Sequence, residues 1–158
     1  IYLLGNLDFL ALAIGILIYN DPRPGIDFIF GTHSGLDLKR YKAYVPRLLS
    51  IGLGASFVFL AIYEKILYAD ASVLVFDEMP WVSAGLMSSE VFTIVVLIID
   101  LVLGYVFLFG RQVRFFSAFA FVFLTASFFY FGESVSSHVT IFTTLSILFL
   151  TNGKDYEQ

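Results

Sequence analysis

Apolar residues gather along the chain into five runs, at positions 9–19, 48–63, 91–109, 115–131 and 135–151, with polar or turn-forming residues between them. None alternates apolar and polar positions as a half-exposed strand or a lumen-lining barrel strand does. Each is a continuous run, which predicts a helix that meets apolar surroundings on every side. A bilayer-spanning helix needs roughly 20 such residues. The last four runs come close to that length, and the first is extended upstream by residues 1–7, with Asp8 as an interruption. The pattern predicts an all-α membrane protein of five transmembrane helices.

The connections carry the expected punctuation. Residues 20–44 hold Pro22, Pro24, Gly25, Gly31 and Gly35, which break any regular element, and read as a polar loop. Pro46 is tolerated in the first turn of the second helix. Asn152-Gly153 reads as the stop of the fifth. Within the second run, Ser50, Gly52, Gly54 and Ser56 place small residues four apart on two neighbouring strips, which lets helices approach closely in lipid. Three segments follow: an additional N-terminal helix at 1–19, a polar loop at 20–45, and a four-helix unit at 46–158.

Composition sharpens the class. Apolar side chains make up 59% and charged ones 14%, and the mean hydropathy is +0.88, far above a soluble domain of this size. Nucleic-acid binding has no support. Cysteine is absent, so no disulfide, thiolate metal site or thiol shuttle belongs to this chain itself.

The placement of charge matters more than its sum of −4. Arg23, Lys39, Arg40, Lys42 and Arg47 precede the second helix, Arg111 and Arg114 lie between the third and fourth, and Lys154 follows the fifth. Asp70, Asp77, Glu78, Glu90 and Glu133 occupy the alternate connections. The positive-inside rule then puts the N-terminal end outside, and the 20–45 loop and the C-terminus in the cytoplasm of a multi-pass cell-membrane protein.

Candidate chemistry is sparse enough to name. Asp100 stands ten residues from both Glu90 and Gly110, roughly 15 Å from either end of its helix and near the bilayer midplane. A carboxylate there costs about 2.5–3.5 kcal/mol on insertion scales and faces other helices, either as a proton relay or as an interhelical hydrogen bond. Glu64 and Lys65 reach the outer boundary of the second helix, where Lys65 can snorkel outward. Glu133 and His138 flank the hinge between the last two helices at the same level. An imidazole with two carboxylates can orient a quinol hydroxyl, take its proton or hold a metal; equally, a loop Glu and a helix-start His can simply be solvated. We take Asp100, Glu64 and His138 as candidate catalytic residues and Glu64, Glu133 and His138 as candidate cofactor-binding residues, with no dedicated metal site. His33 reads as exposed, and none of the common phosphate-loop, zinc-protease or nucleophile-elbow patterns occurs.

Arg47 with Gly52, Glu64-Lys65, Asp100 with Gly104, Gly110 and Arg114, Phe131-Gly132-Glu133 with His138, and Gly153 form a pattern that resembles the DoxX/DoxD-type membrane proteins over residues 47–153. That family usually has Glu at the position of Asp100 and a Gly before the hinge His, where this chain has Ser137. The resemblance implies a four-helix bundle and an integral membrane subunit of respiratory or redox-associated complexes, similar to the membrane part of thiosulfate:quinone oxidoreductase or to companions of terminal quinol oxidases. It points to quinone as cofactor and to other membrane subunits and the bilayer as partners. Two readings stand: a quinone-linked subunit with a quinol or proton-handling site at the outer leaflet, or a structural or assembly subunit without chemistry of its own. Independent transport is disfavoured, because one buried charge and no broken helix are visible in the sequence.

Overall fold

The two strips of small residues decide how the helices assemble. In the computed structural model, which describes residues 2–20, 38–78, 85, 87–110, 112–131 and 138–151, every regular element among the described residues is helical. A single turn, Tyr2–Gly5, leads through Asn6 into α1 (Leu7–Asn20). A 3-10 segment, Leu38–Tyr44, runs into α2 (Val45–Ile62), which has Pro46 in its first turn as expected. The chain then makes a π turn, Tyr63–Leu67, and a short helix α3 (Ala69–Asp77), followed by α4 (Ser89–Phe109), α5 (Val113–Phe131) and α6 (Val139–Leu150). Two helical stretches, 40–67 and Ser89–Phe109, are long and apolar enough to cross a membrane; the apolar helices 7–19, 113–127 and Val139–Leu150 are shorter.

α2 is the central helix, with α4 on one side and α1 on the other. Its Ser50/Gly54 strip meets α4: the Ser50 hydroxyl donates to the Phe107 carbonyl at 2.6 Å, and a Cβ at Gly54 would fall 2.7 Å from the Leu108 nitrogen and 2.8 Å from the Gly104 oxygen. The Gly52/Ser56 strip meets α1, where a Cβ at Gly52 would lie 2.5 Å from that of Ala11. Between the strips, Leu49, Leu53, Phe57 and Ala61 recur every four residues and are buried. Leu103 and Phe107 of α4 pack on them, with Phe57 and Phe107 stacked at 6.0 Å, and Leu145 and Leu148 of α6 complete the core. α5 rests mainly on α6. The outward faces of α1, α4 and α5 stay apolar, with Phe9, Ile16, Ile98, Val102, Phe115 and Val122 exposed. An apolar surface so extended marks a membrane or a partner.

Arg47 holds one end of the α2–α4 pair. Its Nη2 donates to the Leu108 carbonyl at 2.8 Å, in the last turn of α4, where backbone carbonyls lack helical partners. Gly110 closes that helix in the left-handed conformation at φ 70°, and a side chain there would also strike the Arg47 guanidinium. Arg47→Ala is expected to destabilise the protein by about 1.5–3 kcal/mol, the range for a hydrogen bond to a charged group. Arg47→Lys should recover only part of this, because an ammonium cannot reproduce the planar guanidinium. Thermal denaturation of the detergent-solubilised variants measures both.

The apolar pattern predicts a second helix that ends at Tyr63 and a polar connection after Lys65; the chain instead forms a π turn, Tyr63–Leu67, and α3. The pattern predicts a fifth helix from Val135; positions 135–137 lie outside the described residues, and the helix runs Val139–Leu150 with His138 as its N-cap residue at φ −122°, ψ 11°.

Candidate functional site

The π turn builds one wall of the site. The Tyr68 N–H reaches back five residues to the Tyr63 carbonyl at 3.1 Å, the bond that defines a π turn. Ser72, in the first turn of α3, donates from its hydroxyl to the Glu64 carbonyl at 2.9 Å and so ties α3 onto the widened turn. Such single-turn widenings cluster at functional sites. Tyr63 sits between Phe59, stacked at 5.6 Å, and Tyr68 at 4.7 Å, making an aromatic ladder along the wall.

A cavity of about 420 Å³ opens where this turn meets α3, α4, α5 and α6. Asp100, Glu64 and His138, from three separate elements, all line it, together with Lys65, Tyr63 and Tyr68. Asp100 reaches it from α4 and is only 8% exposed. It lies close enough to Lys65 and Glu64 to interact with both charges. The Lys65 Nζ and Glu64 Oε2 pair at 2.6 Å, and the lysine side chain is 11% exposed against 47% for the glutamate. Lys65 therefore turns inward along the cavity, where snorkelling toward solvent was expected. Its ammonium finds a carboxylate there, with the Asp100 charge nearby, which compensates for the lost hydration. Glu133 and His33 lie outside the described residues. Among the described residues, no three His, Asp or Glu side chains come together closely enough to hold a metal ion.

Chemically, the cavity offers a cationic donor, two carboxylates and an imidazole against an aromatic wall. That set can hold an amphipathic head group with hydroxyl or carbonyl oxygens, and can accept or return a proton near neutral pH.

A second buried carboxylate escaped the sequence reading. Asp8, 1% exposed, sits where α1 crosses α2; its Oδ1 accepts from the Ser56 hydroxyl at 3.2 Å and its backbone N–H donates to the Ser56 Oγ at 3.1 Å. Its Oδ2 has no hydrogen-bond partner among the described residues. The signal is available in the sequence: an acidic residue at the head of the first apolar run, with a small polar strip on a second helix to receive it. No family model, curated protein or solved structure matches the chain.

Proposed function

We propose that this chain is a multi-pass membrane protein, a DoxX-like subunit of a redox or respiratory complex, whose cavity at the outer end of the bundle binds the head group of a quinol. The observation that carries this reading is the meeting of Asp100, Glu64 and His138 on one cavity of about 420 Å³. That volume falls within the range of small-molecule sites, whose apolar and aromatic walls carry a few placed polar groups. In this reading α1, α2, α4, α5 and α6 each span the bilayer. The basic residues before α2 and between α4 and α5 mark the cytoplasmic side. α6 covers only about 18 Å, which leaves its His138 end recessed from the outer boundary and the cavity approachable from the outer leaflet.

A quinol, when bound, supplies two protons and two electrons on oxidation. Lys65 and His138 orient its oxygens by hydrogen bonding, and the aromatic wall takes the ring face. Asp100, shielded from solvent, would accept one of the two protons and His138 the other, and the more exposed Glu64 would pass them outward. The two electrons would pass to a one-electron carrier, a haem or iron–sulfur centre, held by a partner subunit.

Two experiments test the reading. Single cysteines introduced at Ser34 and Ser83 of this cysteine-free chain should label from opposite sides of sealed vesicles; labelling from one side removes the five-span arrangement. Equilibrium binding of a short-chain quinol to the reconstituted protein should be saturable. Absence of binding would leave the structural-subunit reading in its place.

A further inference from the structure

A second opening lies toward the other end of the α5–α6 pair. Between α5 and α6 runs an apolar groove of about 390 Å³, lined by Ala118, Phe121 and Val122 on one side and Leu145, Phe149 and Leu150 on the other. It shares no residue with the polar cavity.

Three features at one end of this groove agree in sign and position. The exposed Arg114 holds its guanidinium over the ring of Phe149 at 5.2 Å, so a cation stands where the groove ends. Arg114 precedes Ala118 by four residues and Val122 by eight, which continues the groove's own stripe along α5. It also lies in the first turn of α5, where the helix dipole favours an anion. A guanidinium with five N–H donors can hold a phosphate beside other partners.

Ser117 adds a polar group one turn deeper, about 4.5 Å further along the axis. It lines the groove, is fully buried, and its hydroxyl has no hydrogen-bond partner among the described residues. The other groove hydroxyl, on Ser146, is already spent on the Phe142 carbonyl at 2.8 Å.

The geometry points to a binding site for an anionic phospholipid, with one acyl chain along the α5–α6 groove, its phosphate at Arg114 and the first turn of α5, and its ester region at the depth of Ser117. The site rests on the membrane reading above, in which this end of α5 faces the cytoplasm. Basic positions between helices on that side are where anionic head groups are held. Charge at one end and apolar walls along the rest select a lipid over a free anion or a neutral chain.

The test is native mass spectrometry of the full chain, delipidated in detergent and re-equilibrated with an equimolar mixture of phosphatidylglycerol and phosphatidylcholine. Wild type should retain phosphatidylglycerol in about fivefold preference, the factor carried by ~1 kcal/mol for one basic residue near the surface. Arg114→Gln should bring the ratio near one, Arg114→Lys should keep most of the preference, and Val122→Trp, at an exposed position on the groove, should reduce retention of both lipids. Equal retention by wild type, an unchanged ratio in Arg114→Gln, or loss of the preference on adding inorganic phosphate overturns the site. If carbonate washing without detergent releases the chain from membranes, the membrane reading fails first. If the chain stays in the membrane but shows no preference, only the lipid site fails.

Discussion

Gly54→Leu should abolish the α2–α4 pairing and with it the folded bundle. The nearest atoms to a new Cβ there are the Leu108 nitrogen and the Gly104 oxygen, both backbone, at 2.7 and 2.8 Å, and neither can give way without moving a helix. Overpacking in a core costs about 1–3 kcal/mol when side chains can adjust, and more when they cannot. The opposing glycine is tight as well, since a Cβ at Gly104 would meet the Val58 side chain at 2.5 Å and the Gly54 oxygen at 3.1 Å. Gly5→Ala is the matched control, because its Cβ would come no closer than 3.4 Å to the Leu60 side chain. The unfolding midpoint in detergent should collapse for Gly54→Leu and hold for Gly5→Ala. Equal midpoints would show that the close crossing is wrong.

Asp100→Asn should weaken quinol binding about tenfold or more, equivalent to ~1.4 kcal/mol, while the unfolding midpoint stays near that of wild type. The amide keeps the volume of the carboxyl and one acceptor oxygen, so packing against α2 survives. What it loses is the charge that faces Lys65 and the capacity to take up a proton. Lys65 then keeps Glu64 as its ion-pair partner, and the net charge of the cavity shifts by one unit toward positive. If binding is untouched and stability falls instead, Asp100 serves as an interhelical hydrogen bond and no more. Titration of the purified variant with a short-chain quinol, alongside a thermal melt, separates the two outcomes.

Much of the helical pairing was legible in the sequence. Small residues four apart have few uses in an apolar helix besides close packing, and the strips of Ser50/Gly54 and Gly52/Ser56 do meet different neighbours, α4 and α1. Counting residues along each helix puts Glu64 and His138 at one level, and both do line one cavity, but it puts Asp100 roughly 15 Å deeper, so the meeting of all three was not legible in the sequence. The orientation of Lys65 could not. A π turn depends on one extra residue in a turn, which no composition or periodicity announces, and that residue changes which side chains face inward after Ile62. α3 was hidden for a related reason: Ala69–Asp77 is short and carries acidic residues at both ends, so it read as a polar connection. Asp8 was read as a flaw in a run of apolar residues, although its partner Ser56 belonged to a strip already singled out.

The most direct test of the polar cavity as a quinol site is photolabelling with an azidoquinone in reconstituted membranes, followed by peptide mapping. Labels should fall on residues 63–72 and 138–141, which line the cavity from the π turn, the start of α3 and the start of α6. Excess unlabelled quinol should suppress them, and Asp100→Asn should reduce them in step with its binding loss. Labels confined to the α5–α6 groove around Ser117 and Val122, or labelling of the cavity that unlabelled quinol does not suppress, would contradict the assignment.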